Sequence, residues 1–239
     1  CTPDQQPKAD TPIKINKQVE TFLNQLDDLE SLMDQRDVLL NQNQEDTISK
    51  VEKALAEIRT KNAQSTEEAA EQQEKLIATA LSFYYPKDKL KDLEVINQEA
   101  LNLQSEVNSQ SGENKTIVQQ AVNDFVKLTE ADIKSFHDAL SFISSVDPKL
   151  PKFSFIGVAE ASTSNCDCKE ISRTRVSPTL ILIRYRCVCK VTIKLVQNQM
   201  QIQQLATRSK IALKELQDKK AIADKQYPRD RTVPTKYAP

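Results

Sequence analysis

Two glycines and no tryptophan leave this 239-residue chain without the parts that most enzyme folds are built from, and aromatic residues reach only 5%. With glycines at 112 and 157 alone, no glycine-rich loop can cradle a phosphate, because such loops need several positions where the backbone approaches its ligand without a Cβ. Histidine is nearly as scarce. His137 follows Phe136 in a helical pattern, with no candidate base or acid at a suitable spacing, so it reads as a surface or packing residue and not as a general acid or base. No His/Asp/Glu spacing of a metal site is present, and no cofactor is expected. There is also no run of 18 or more apolar residues, so nothing spans a membrane as a helix.

What fills the chain instead is glutamine, asparagine, lysine and glutamate between spaced aliphatics, with 38% hydrophobic residues. That composition suits long helices and an elongated shape. Ile15, Val19, Phe22, Leu26, Leu29 and Met33 recur at alternating steps of four and three, the spacing that holds one apolar seam against a partner helix. The seam then loses register: its continuation would fall on Arg36, Leu40, Asn43 and Thr47, whereas the next apolar set is Ile48, Val51, Leu55 and Ile58. The polar stretch 41–46 between them predicts a kink or short loop, capped at Asp46 or Thr47, with an underwound continuous helix as the alternative. The seam resumes through Ala69, Leu76, Ala80 and Phe83, and Pro86 ends that helix or starts the next. Further helix is predicted over 87–107 and 116–145, with Ala121, Phe125, Leu128, Ile133, Phe136, Leu140 and Ile143 on the apolar side of the latter.

The domain reading is an extended tether over 1–12, a long-helix region over 13–147 with breaks near 41–46, 85–87 and 108–115, a β-hairpin over 152–196, a C-terminal helix over 197–226 packing on the bundle, and an extended tail over 227–239. The fold class is therefore mainly α: an elongated antiparallel helical bundle or coiled coil, with a disulfide-stapled β-hairpin inserted before the last helix.

The hairpin rests on two patterns. From Ile183 to Leu195 every odd position is apolar or Cys, while the even ones include Arg184, Arg186, Lys190 and Lys194, as in a half-buried strand with a basic outer face. Four of five cysteines form two Cys-x-Cys pairs. An antiparallel turn at Val176-Ser-Pro-Thr179 sets Cys166 opposite Cys189 and Cys168 opposite Cys187 in one register. Cys166–Cys187 with Cys168–Cys189 is the other connectivity, and a four-cysteine zinc site competes with both, although such sites favour Cys-x2-Cys knuckles with glycine turns. Disulfides imply an oxidising compartment. Asn114-Lys-Thr116 is an N-glycosylation sequon, which matters in a eukaryotic source.

Cys1, followed by a polar tether with prolines at 3, 7 and 12, resembles the mature end of a bacterial lipoprotein. That resemblance implies a removed signal peptide and a lipid anchor on Cys1, hence an envelope location. An interchain thiol, or the accident of where a signal was cut, are the alternatives.

Charge is uneven along the chain. Residues 166–239 hold 16 Lys/Arg against 6 Asp/Glu, a net +10, which leaves −11 on residues 1–165. Folding the basic end back onto acidic helices cancels the two fields; otherwise the basic face awaits an anionic surface or another copy. The functional expectation is a non-enzymatic secreted or envelope-associated structural protein that presents a basic hairpin to a protein partner or to itself. An anionic membrane surface or a glycan is the further candidate, and nucleic acid is disfavoured. An α-helical pore-forming toxin with a β-tongue and a homo-oligomeric filament or coat subunit are the alternatives.

Overall fold

The computed structural model describes residues 17–58, 63–110, 115–146, 165–177 and 180–226. Cys1, Asn114, the expected 1–12 tether and the expected 227–239 tail all lie outside these residues, as does the first part of the expected hairpin. Within them the chain forms α1 (Lys17–Asn41), α2 (Gln44–Ile58), α3 (Thr66–Tyr84), α4 (Lys87–Asn108), α5 (Lys115–Val146), β1 (Cys166–Ser177), β2 (Leu180–Cys189) and α6 (Lys190–Gln226). The expected class stands: a helical bundle with one antiparallel hairpin before its last helix.

The predicted heptad seam on α1 is buried through Phe22, Leu26, Leu29 and Met33, and Leu23 and Leu32 beside it have no exposure at all. A stripe this wide belongs to a helix touched on several sides. α1 packs with the second half of α4, the first half of α5 and the C-terminal half of α6, around Phe125, Leu103 and Leu216. A second cluster occupies the other end of the molecule. There α3, the start of α4, the end of α5 and the start of α6 close over Phe136, Leu140 and Ile143 together with three hairpin cysteines. Tyr85 meets Phe136 edge to face at 4.9 Å. The 32-residue α5 joins the two clusters, a span of about 48 Å.

Ion pairs fix helix directions and answer the charge question. Lys194 pairs with Asp138 at 2.6 Å and Arg208 with Asp124 at 3.1 Å, so α6 runs antiparallel to α5. Lys210 reaches Asp37, and Lys220 bridges Asp27 at 2.6 Å and Glu30 at 3.0 Å, so α6 is antiparallel to α1 as well. The basic C-terminal helix lies back along acidic partners within one chain. Lys220 is the most enclosed of these cations: burial works to lower its pKa, but the Asp27 and Glu30 hydrogen bonds and charges outweigh it and raise the pKa.

Three boundaries differ in detail from expectation, although the first, between α1 and α2, falls within the expected 41–46 stretch. The α1–α2 break is made at Asn43, which has φ of 60°, a left-handed conformation that asparagine tolerates better than most residues. Neither Asp46 nor Thr47 caps α2; Asp46 pairs with Lys50 inside it. A further break, not among those expected, separates two helices: α2 ends at Ile58, and Ser65 starts α3 with a capping box in which Ser65 Oγ accepts from the Glu68 N–H and Glu68 Oε2 accepts from the Ser65 N–H. Finally, strand gives way to helix at Lys190 and not near 197. Val191 and Leu195 fit an alternating strand, but they also open the stripe Val191, Leu195, Asn198, Ile202 and Leu205 that α6 buries. The helical stripe wins because it continues along α5, and Ile193 is left half exposed.

Candidate docking hairpin

The hairpin is rooted by its cysteines. Cys166–Cys189 and Cys168–Cys187 are both bridged, with Cα separations of 4.0 and 4.1 Å. Residues two apart on a strand fall at the same kind of position in an antiparallel ladder, and these distances are near the ~4.5 Å of pairs that do not exchange backbone hydrogen bonds. Two stacked bridges therefore need only one register. The expected connectivity is realised, and the competing zinc site is excluded because all four sulfurs are spent in S–S bonds.

The root is buried in the bundle. Cys166, Cys168 and Cys189 pack with Ala69 and Ala70 of α3 and Phe142 of α5. Glu74 of α3 accepts a hydrogen bond from the Asn165 N–H at 2.6 Å, and the Lys190 N–H donates to the Asn165 carbonyl at 2.8 Å. Small alanines on α3 let the disulfides approach closely. The hairpin therefore leaves the body from a fixed base, which matters because a two-stranded ribbon alone is marginal in water.

Beyond Glu170 the ribbon is exposed. A register shift between Glu170 and Ser172 sets Ile171 outside the pairing, a bulge that re-aims the following side chains. As a result, Arg173 and Arg175 lie on the disulfide-bearing face opposite Ile183 and Ile181, while the other face carries Lys169 opposite Arg186, Ser172 opposite Arg184 and Thr174 opposite Leu182. Lys169 and Arg186 are like charges directly across the ladder, an arrangement that costs stability. Asp167 is the acid on that face, nearer the base. Arg173 is held by Glu170 through two 2.9 Å hydrogen bonds, which lower the Glu170 pKa and raise that of Arg173.

At the distal end Leu180, Ile181 and Leu182 are 55%, 46% and 46% exposed. Successive residues of a strand point to opposite faces, so the apolar surface is presented on both sides of the ribbon.

Of the expected basic surface, only Arg184 and Arg186 belong to the hairpin. Lys190 and Lys194 are corrected to the first turns of α6, where Lys194 faces Asp138. His137 is half buried on α5. Sequence reasoning missed the roles of Lys169 and Ile171, since neither the cross-strand pairing of the one nor the bulge at the other follows from alternation.

No group of three or more His, Cys, Asp or Glu residues that could hold a metal ion occurs among the described residues. A depression between α1, α5 and α6 lined by Met33, Arg36, Phe125 and Lys210 measures at most 180 Å³, short of the ~300 Å³ at which small-molecule sites begin. No described helix is long and apolar enough to cross a membrane. No family model, curated protein or solved structure matches the chain.

Proposed function

We propose that the protein is a non-enzymatic extracytoplasmic docking protein, in which the helical body is a mount and the hairpin is the contact element. One observation carries this reading: a ribbon whose base is stapled and buried bears three consecutive aliphatic residues, about half exposed, at the distal start of β2. Exposed contiguous apolar surface is a liability unless something covers it in use, and the two bridges give it a rigid support that a small core could not. The bridges also favour secretion or an envelope location, where they persist. The reading of a self-assembling coat subunit is the weaker one, since four of the cations behind it, Lys194, Arg208, Lys210 and Lys220, are met by ion pairs inside the chain.

A photo-crosslinking residue at Leu182, compared with one at exposed Gln199 on α6, tests the reading in the protein's native source. Adducts concentrated at 182 are expected. No adduct at 182, or equal yields at both positions, would overturn it.

A further inference from the structure

We infer that the hairpin tip docks on an anionic lipid bilayer surface, a conclusion that rests on the docking reading above and names its partner. The first argument is the two-sidedness of the tip. A protein surface covers one face of a ribbon, or pairs with its edge strand. Here Leu180 and Leu182 lie on one face and Ile181 and Ile183 on the other, and the three outermost are comparably exposed. A surrounding apolar medium satisfies both faces at once.

The second argument is where the cations lie. Leu180 to Ile183 spans about 10 Å along the strand, which matches the ~5–10 Å that apolar groups of interfacial segments sink into a membrane. Along the same face Arg184 and Arg186 follow Leu182 by about 7 and 14 Å, with Lys169 beside Arg186. On the opposite face Arg175 flanks Ile181, and a side chain this long can carry its charge back toward the headgroups; Arg173, opposite Ile183, is neutralised by Glu170. An apolar tip followed by a band of cations matches the layering of acyl chains and anionic headgroups. Against the destabilising Lys169–Arg186 juxtaposition, a negative surface is the compensating partner. The apolar run is also far shorter than the ~9–11 residues a membrane-crossing strand needs, so the contact is peripheral.

The chain lacks tryptophan, so Leu182→Trp gives a single reporter in the full-length oxidised protein. With phosphatidylcholine vesicles containing phosphatidylglycerol, its emission should shift to the blue and lose acrylamide quenching, and added salt should reverse both. Adding Arg184→Gln and Arg186→Gln should weaken binding about 30-fold, from roughly fivefold per basic residue near such a surface. Co-sedimentation of the unsubstituted chain with the same vesicles guards against a defect of the tryptophan variant. Several results would overturn the inference: no shift and no co-sedimentation, equal binding to pure phosphatidylcholine, emission already blue-shifted without vesicles, or dye release showing perforation. If vesicles fail while Leu182 still crosslinks to a protein, the bilayer is the wrong partner and the docking reading stands. If both fail, the docking reading falls too.

Discussion

Arg36 and Asp132, 96 positions apart, meet inside the bundle as a two-bond fork: Arg36 Nε donates to Asp132 Oδ2 at 2.6 Å and Nη2 to Oδ1 at 3.1 Å. Both side chains are more than nine-tenths buried. Burial pushes the Asp132 carboxyl pKa up, against the opposing pull of the Arg36 hydrogen bonds and charge. The pair ties the end of α1 to the middle of α5, yet desolvation offsets much of its attraction. Removing Arg36 leaves a buried carboxylate without its cation, and removing Asp132 leaves a buried guanidinium whose other acidic partner is the partly exposed Asp37 at 2.8 Å. We therefore expect Arg36→Met or Asp132→Leu alone to cost about 3–5 kcal/mol in denaturant unfolding, and the two together to be close to neutral or stabilising. A double variant as unstable as the singles would mean that the ion pair itself holds the helices in place.

The two bridges should prove unequal to the sum of their parts. They close nested loops, with sequence separations of 23 and 19, so either one alone already restrains the ribbon in the unfolded chain. Loss of one, as in Cys168→Ser with Cys187→Ser, should cost about 2 kcal/mol, while loss of both should cost about 5 kcal/mol. Hydrogen exchange locates the damage: protection should fall in the hairpin and α3, which share a core with the cysteines, and be kept where α1 packs on α4. Uniform loss across the molecule would contradict the division into two clusters.

These two cases show what was legible in the sequence. The cysteine spacing could be read because a ladder has period two and a bridge has a short reach, so one register satisfies both pairs. The α1 seam could be read because its aliphatics keep heptad spacing. Arg36 could not, since a cation on an apolar seam looks like the end of the pattern unless its partner, distant in sequence, is known. The strand-to-helix change at Lys190 was hidden because Val191 and Leu195 satisfy both periods, and only packing on α5 decides between them. For the tip, a run such as Leu180-Ile-Leu-Ile183 reads the same whether buried on both faces or exposed on both; its exposure is a tertiary fact.

The start of α3 was legible and went unused. Ser65-Thr-Glu-Glu68 has the spacing of a capping box, and the two reciprocal hydrogen bonds are present. Ser65→Ala should lower stability by about 1 kcal/mol, and Ser65→Asp should retain most of it. The turn at Asn43 offers the complementary test. Asn43→Gly should be tolerated there, while Asn43→Val should cost about 1–2 kcal/mol, because a β-branched residue resists positive φ. Thermal melts of the four variants distinguish a backbone requirement from a general sensitivity of these turns.

Lys220 gives the pH dependence its sign. Its pKa in the folded state is raised from 10.5 by Asp27 and Glu30 despite burial. A cation with a raised folded pKa adds stability that is fully present below its unfolded pKa and is lost as pH rises through the folded one. Lys220→Met should therefore be less stable than the parent at pH 7, by about 1 kcal/mol for a partly enclosed pair. That deficit should persist to near pH 10.5 and then close. Other lysines and tyrosines titrate in the same range, so the quantity to follow is the difference between the two proteins, measured by urea unfolding at each pH. A gap that closed below pH 9 would mean that burial, and not the two carboxylates, dominates at Lys220, and the tie between α6 and α1 would then have to rest on the apolar contacts of Leu216 and on the exposed Lys210–Asp37 pair.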